Sequence, residues 1–412
     1  MPTFSFVHAA DLHLDTPFRG LSAWSPRVAT ALADASLEAW DALVALCLRE
    51  EAAFLLLAGD LHDADIPGVR ARLQLYEGTA RLAAAGCRVF IVRGNHDGGD
   101  ETRLVRAWPE GVYVFGSDTV ASVPVYRDGT LLATVHGLSH AGRHVAENLA
   151  ERFPRPEGPG IHVALLHANL GRDTGHASYA PCSLRDLVSS GHHYWALGHV
   201  HRRRVERHGH TWVAYPGNLQ GRSPQPAERG AKGALVCRVN GEVIEEPRFH
   251  ALDRWRFEER ELQVPDGADL PLVQALLAEC AKEVVAEVGE RGVLLRVVLA
   301  GADDVRSFLG PRGVLDTLRR LLDDLMPDSL ILLPLRFRLR DGFTGGVAAT
   351  GPRGALEAFV AEFDGPAREA WMRAQLEAAK DPGPGRIGED PSVVWDDARQ
   401  LALAALAGEE PA

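Results

Sequence analysis

Lysine is almost missing from this chain: of its 44 basic residues, only Lys232, Lys282 and Lys380 are lysine. With Ala, Leu and Gly abundant, that scarcity reads as base-composition bias of the coding genome and not as function. Positive charge is also outweighed. The formal net charge of −12 argues against binding an anionic polymer over the whole surface, so a nucleic-acid substrate would need a local basic patch and metal ions. Cysteine offers no framework either. Cys47, Cys87, Cys182, Cys237 and Cys280 are scattered, odd in number and form no C-x-x-C pair, as expected of reduced core residues in a cytoplasmic protein. No apolar run approaches the ~18 residues of a membrane span. The first run begins near Phe4, which leaves no room for a removable leader. No repeat or low-complexity segment is evident.

What is present is an ordinary globular composition, 46% hydrophobic and 24% charged, over 412 residues. That length predicts two or three domains. In the first half, five short apolar runs each stop at a residue type that binds metals. Phe4–Ala10 leads into Asp11-Leu12-His13, Ala52–Ala58 into Gly59-Asp60, and Cys87–Arg93 into Gly94-Asn95-His96-Asp97. His162–Leu166 leads into His167, and His193–Leu197 into Gly198-His199-Val200-His201. Runs of this length, rich in β-branched or aromatic residues and closed by a turn, read as buried strands. Reacting groups of open α/β sheets gather at the carboxyl ends of such strands.

Seven ligand-type residues on one rim suit two metal ions. Asp60 is the natural bridge, because a carboxylate has two oxygens and a negative charge. Asp11, His13 and His201 would complete one shell; Asn95, His167 and His199 would complete the other. Residues two apart in extended chain point the same way, so Asp-x-His and His-x-His can each present both side chains. Mixed N/O ligation suits Mn²⁺, Fe²⁺ or Zn²⁺ better than Ca²⁺ or Mg²⁺. Two ions ~3.5–4 Å apart can bridge a hydroxide and clamp phosphate oxygens for in-line displacement. His96 would then touch the phosphate and protonate the leaving oxygen, with Asp97 orienting its imidazole.

Beyond the motifs, Arg27–Glu51 and Val69–Ala85 carry apolar residues at helical spacing, and short alternating runs from Val112 to Phe249 predict a mixed-sheet sandwich. Val239-Asn240-Gly241 and Arg127-Asp128-Gly129 mark turns. From Trp255 a βαβαβ pattern follows: strands at Trp255–Val264, Gly292–Leu299 and Ser329–Leu339, helices at Leu270–Val288 and Val314–Leu325. The expected domains are 1–250 for catalysis, 251–340 as a small α+β unit, and 341–412 as a helical tail that docks a partner or packs back.

Asp11-x-His13, Gly59-Asp60, Gly94-Asn95-His96-Asp97, His167 and Gly198-His199-x-His201 together resemble the calcineurin-like metallophosphoesterase signature, in order. The segments from Phe6 to Asp15 and from Tyr215 to Arg222 resemble its DNA-repair exonuclease branch, the SbcD- and YhaO-like proteins. The resemblance covers roughly residues 1–250. It implies a four-layer αββα sandwich with a small α+β capping domain and C-terminal helices. It also implies manganese-dependent cleavage of phosphodiesters in DNA, an SMC-type ATPase partner bound through the C-terminal helices, and a homodimer. Asp63 departs from the branch, many of whose nucleases carry a histidine there. Arg222 and Arg202 are the candidate substrate contacts, against a reading of Arg202, Arg203, Arg204 and Arg207 as a solvated strand. His136 stands open between support for the site and a surface-loop residue, His8 reads as core, and the pairs His192/His193 and His208/His210 read as loop or strand edge. The rival functions are a phosphodiesterase for cyclic nucleotides or other small phosphoesters, and a metal-bound scaffold.

Overall fold

A computed structural model describes residues 3–15, 34–62, 68–97, 107–171, 179–301, 314–323, 326–327 and 329–339, with Leu32, Val305 and Leu309. The helical tail expected over 341–412, Asp63 and the first part of the helix expected from Arg27 lie outside the described residues. Contacts divide the chain into one unit of Met1–Leu309 with Leu315–Arg338 and a second of Gly310–Val314 with Leu339–Ala412. Only the first is described in detail below.

Its first sheet contains β1 (Thr3–Ala9), β2 (Phe54–Ala58), β3 (Arg88–Val92), β4 (Val112–Val114), β13 (Gly233–Asn240), β14 (Val243–Ile244) and β15 (Arg248–Ala251), in the order β14-β13-β1-β2-β3-β4 with β15 also on β13. The second contains β5 (Ala121–Arg127), β6 (Thr130–Leu138), β7 (Ile161–His167), β10 (Tyr194–Gly198), β11 (Arg204–His208) and β12 (Thr211–Tyr215), ordered β11-β12-β10-β7-β6-β5. A short parallel pair, β8 (Asn169–Leu170) and β9 (Pro181–Cys182), lies apart. β1, β2 and β3 run parallel, as do β7, β10 and β12. Both expected turns form, and each closes a hairpin. Arg127 pairs Thr130 across Asp128 and Gly129, both at positive φ, and Asn240 pairs Val243.

The layers follow from strand alternation. Phe6, Phe54, Phe90, Val135, Val163, Tyr194 and Ala196 form the core between the sheets, where the Phe6 and Phe54 rings stack at 4.9 Å. Val7, Leu55, Leu57, Val89 and Ile91 point the other way. They are covered by helices α1 (Ala35–Arg49) and α2 (Val69–Ala84) through Trp40, Leu43, Cys47, Leu75 and Leu82. The outer face of the second sheet, with Leu166, Trp195 and Leu197, packs on Leu149, Phe153 and Leu187, the last from α3 (Leu184–Ser189). Each of these strands has apolar side chains on both faces, which is why it reads as a continuous apolar run. All five cysteines are buried and free. No helix among the described residues is long and apolar enough to cross a membrane.

A third sheet follows: β16 (Trp255–Gln263), β17 (Gly292–Gly301), β18 (Leu330–Leu332) and β19 (Arg336–Leu339), with α4 (Leu270–Val288) against β16 and β17, and α5 (Val314–Asp323) between β17 and β18. α4 has the predicted bounds, started by an Asp269 side chain that accepts from Leu272 N, and ended at Gly289. The single strand expected over Ser329–Leu339 is two strands instead. Pro334 between them has no N–H to continue a ladder. Phe257, Leu294, Ile331 and Leu333 on one face of this sheet meet Leu32 and Ala35 of the first part of the chain.

Candidate metal centre

All five motifs lie where parallel strands end, on one rim shared by the two sheets. The backbone there is held by cross-links between motifs. Asp11 N donates to Gly59 O at 3.0 Å, His13 N to Asp60 O at 3.0 Å, and Leu14 N to Leu61 O at 2.9 Å. Asp11, His13, Asp60 and His199 all have positive φ, at 52°, 43°, 53° and 98°. Non-glycine residues rarely adopt that region, and such strain gathers where a side chain must be aimed. Space is equally tight. A Cβ on Gly94 would overlap the Asp60 carboxylate, and one on Gly198 would overlap Ala58 O.

Five of the seven side chains converge in two overlapping groups: Asp11 with His13 and His201, and Asp11 with Asp60 and His167, ligand atoms within 4.8 Å of one another in each. His13 Nε2 is 3.2 Å from His201 Nε2. Asp60 Oδ2 lies 3.5 Å from His167 Nε2 and 4.0 Å from His13 Nε2, so this carboxylate reaches toward both halves. Asn95 Oδ1 is 3.0 Å from His167 Nε2. The His199 ring is centred 5.2 Å from that of His167, and its backbone N–H donates to both Asp11 oxygens at 3.0 and 3.1 Å.

This donor set fits cations. His167 Nδ1 donates to Ala58 O at 2.9 Å, which leaves its Nε2 a lone pair facing the Asn95 and Asp60 oxygens. Burial, reinforced by His199 and His140, holds this imidazole neutral, far below the usual histidine range. Three acceptors facing one another repel unless a cation sits among them. Burial also lifts Asp11 to about 6, against the opposing pull of His201 and the His199 amide, and a bound cation would relieve that cost.

His96, half-buried, donates its backbone N–H to Asp60 Oδ1 at 2.9 Å, and its ring stands edge-on to His13 at 5.3 Å. Asp97, expected to orient that ring, is engaged by the backbone. Its Oδ1 accepts from the backbone of Leu61 at 2.8 Å and His62 at 3.2 Å, and its Oδ2 from Gly94 at 2.9 Å. The carboxylate therefore ties the Asp60 loop to the Asn95 loop. Arg222 lies close enough for its charge to act on both His201 and Glu228. Arg202 is exposed. Its neighbours serve the surface: Arg203 stacks over Phe249, Arg204 pairs Glu206, and Arg207 lies over Trp212.

Sequence reasoning missed Glu228. It sits in a one-turn 3-10 helix (Pro226–Glu228), with Oε1 at 2.5 Å from His201 Nδ1 and Oε2 accepting from Asn218 Nδ2 at 2.7 Å and Arg222 N at 3.0 Å. Burial opposes its charge, but His201, Lys232 and Arg222 outweigh burial and hold the carboxyl far below its usual range. Burial likewise opposes a charged His201, and Glu228 overrides it. Lys232 Nζ donates to His201 O at 2.8 Å. A carboxylate behind a histidine fixes the tautomer and aims the other nitrogen at the metal. The only hint in the sequence was proximity to the Tyr215–Arg222 segment.

His136 neither supports this site nor lies in a surface loop. It is buried within β6, with Nδ1 at 2.8 Å from Ser122 Oγ and Nε2 at 3.1 Å from His162 Nδ1. His192 lies in the loop between α3 and β10, as expected, but is fully buried with its ring 4.9 Å from that of His136. His8 is core, as expected, with Nδ1 at 3.0 Å from Tyr194 Oη.

Comparison with known proteins agrees with this geometry. The profile of calcineurin-like phosphoesterases matches residues 4–203. The chain is 32% identical over 338 residues to YhaO of Bacillus subtilis (strain 168), an uncharacterized metallophosphoesterase, covering 81% of this chain and 80% of that one. It is 28% identical over 235 residues to the DNA double-strand break repair protein Mre11 of Aeropyrum pernix, covering 52% of this chain and 53% of that one. The corresponding protein of Thermoplasma acidophilum is 23% identical over 216 residues, covering 50% and 57%. With five strand-end motifs on one rim and a relative matched over four-fifths of its length, the chain belongs to the calcineurin-like phosphoesterase family.

Proposed function

We propose that this protein is a dinuclear metal-dependent phosphodiesterase that cleaves DNA, acting as an exonuclease in DNA repair. The observation that carries the reading is the meeting of Asp11, His13, Asp60, Asn95, His167 and His201 donor atoms at one rim, with His96 fixed beside them. Asp11, His13, Asp60 and His201 would hold one ion; Asp60, Asn95, His167 and His199 would hold the other. The ions, Mn²⁺ in this reading with Fe²⁺ or Zn²⁺ as alternatives, supply an acidified water and a clamp on phosphate oxygens. Glu228 keeps Nδ1 of His201 engaged, which leaves Nε2 as the atom that would bind an ion. His96 contacts the phosphate and delivers the proton to the leaving oxygen, while its backbone bond to Asp60 keeps the imidazole in reach. Arg222 and Arg202 meet the phosphodiester chain on the way in. The Mre11 relatives, named for DNA double-strand break repair, favour DNA over small phosphoesters.

The test is hydrolysis of labelled single- and double-stranded DNA and of bis-(p-nitrophenyl) phosphate with Mn²⁺, beside a His96→Ala control. Cleavage of both substrates by the wild type, lost in the variant, is the expected result. Cleavage of the small diester alone would refute DNA as the substrate of the isolated chain.

A further inference from the structure

Two residues beyond His167 the chain buries a side-chain amide that bonds to nothing. Asn169, on β8, is fully enclosed, and among the described residues neither its Oδ1 nor its Nδ2 has a hydrogen-bond partner. A carboxamide with both ends idle inside a protein is uncommon, because each end gives up its water without return. The backbone around it is well held. Asn169 N donates to Tyr179 O at 3.1 Å, Leu170 N donates to Tyr215 Oη at 3.0 Å, and that hydroxyl donates to Ala168 O at 2.8 Å. The Tyr215 hydroxyl therefore clamps the residues on either side of Asn169. Ala168 and Leu170 face the outer apolar cluster with Leu166 and Leu197. Alternation leaves Asn169 on the opposite side of the strand, the side of His167. Tyr179, which takes the Asn169 N–H, sets its ring edge-on to His199 at 5.5 Å, and the His199 ring is 5.2 Å from that of His167. Asn169 is thus joined by the chain to one histidine of this half of the metal centre and through Tyr179 to the other.

We infer that Asn169 is a positioning residue for the ion assigned to Asp60, Asn95, His167 and His199, and that its carboxamide orients a water molecule on that ion. Water suits both idle ends, since it donates a hydrogen to Oδ1 and offers an oxygen to Nδ2. A cation strengthens the first of these bonds by polarising the O–H of the water it holds. Partners of this kind, one step behind the ligands, govern how tightly and in what geometry a metal sits. The amide is neutral, so it fixes the water without adding to the negative charge of Asp11 and Asp60. In the metal-free chain its burial is an uncompensated cost, which the loaded centre offsets. The inference rests on the two-ion reading of this rim and not on DNA as the substrate.

The experiment uses the full chain with Asn169→Leu, which keeps the branched shape and removes both polar ends, and Asn169→Asp, which keeps the acceptor. Stripped of metal, Asn169→Leu should melt at or above the wild-type temperature, because no bonded partner is lost. In a calorimetric titration with Mn²⁺, one of two binding events should weaken about tenfold in Asn169→Leu. It should be the event that Glu228→Gln leaves intact, so the double variant should weaken both. Asn169→Asp should hold that event at or above the wild-type affinity. Asn169→Leu melting well below the metal-free wild type would make the residue structural and overturn the inference. So would two Mn²⁺ events unchanged in Asn169→Leu, or a loss confined to the event that depends on Glu228. Unchanged metal binding with a raised KM for bis-(p-nitrophenyl) phosphate would overturn it in favour of a direct substrate contact. If Asn169→Leu does not fold, Asn169→Asp decides: a tenfold weaker ion in a variant that retains the acceptor refutes the water contact. If the wild type binds two ions and cleaves neither substrate while Asn169→Leu loses one ion as described, the inference stands and the phosphodiesterase reading falls.

Discussion

Asp97→Asn separates two roles for a carboxylate one residue from the proposed catalytic histidine. In the structure its oxygens take three backbone N–H groups, two on Oδ1 and one on Oδ2. Asparagine retains a single oxygen. If that oxygen keeps Leu61 and His62, the new NH₂ faces the Gly94 amide, donor against donor; the reverse orientation strands two amides. The least costly choice leaves one buried N–H unsatisfied, about 1–3 kcal/mol, beyond the charge assistance lost from the others. Asp97→Ala strands all three and should cost roughly twice as much, less than a strict sum because the loops relax. Urea unfolding followed by tryptophan fluorescence gives the order wild type, Asn, Ala. Because the loops so joined carry Asp60 and Asn95, metal affinity should fall in parallel, and excess metal should restore part of the activity. A variant that unfolds at the wild-type urea concentration yet loses activity at saturating metal would refute the bracing account and return Asp97 to orienting His96.

Glu228→Gln should weaken one of two Mn²⁺ binding events about 10- to 100-fold in a calorimetric titration and leave the other intact; equal loss at both sites would contradict its assignment to His201. Gly94→Ala should drive a methyl into Asp60 and cost about 1–3 kcal/mol, with metal stoichiometry falling in a protein that remains folded by circular dichroism. His8 makes stability depend on pH. Burial pushes its folded value down to about 3 against an ordinary 6.5, so the unfolded chain binds the proton more readily. The stabilisation from a neutral His8 is complete above pH 6.5 and is lost as pH falls toward 3, about 2 kcal/mol of it by pH 5. Denaturant titrations of wild type and His8→Leu from pH 7 to 5 should converge by that amount, and parallel curves would count against it.

The candidate ligands were legible because all fall within four residues of the end of a buried strand, and strand ends in a parallel sheet share a rim. The bounds of α4 were legible, and in the structure Asp269 and Gly289 close its ends; those of the last strand failed at Pro334, where an apolar run concealed a break in the ladder. The positive φ at Asp11, His13, Asp60 and His199 has no signature in residue type, since tertiary packing imposes it against preference. Glu228 escaped notice because it stands in a single turn after a proline, outside every periodic segment, and its partner His201 is 27 positions away. For His136, the residues that decide its surroundings, Ser122, His162 and His192, come from three separate segments.

Gln220, in the Tyr215–Arg222 segment, ties the loop beside the metal ligands to the third sheet. Its Oε1 accepts from Arg254 N at 2.8 Å and Trp255 N at 3.2 Å, and its Nε2 donates to Trp255 O at 2.5 Å, at the very start of β16. The same loop ends at Glu228, against His201. One stretch of chain therefore holds a metal ligand at one end and the third sheet at the other. Thermodynamic reciprocity then applies: if loading the ion stiffens this stretch, seating the third sheet must raise affinity for the ion by the same factor. Chelation should consequently be felt in amide exchange along β16, and a molecule that pulls on the third sheet should release or retain metal without ever touching it.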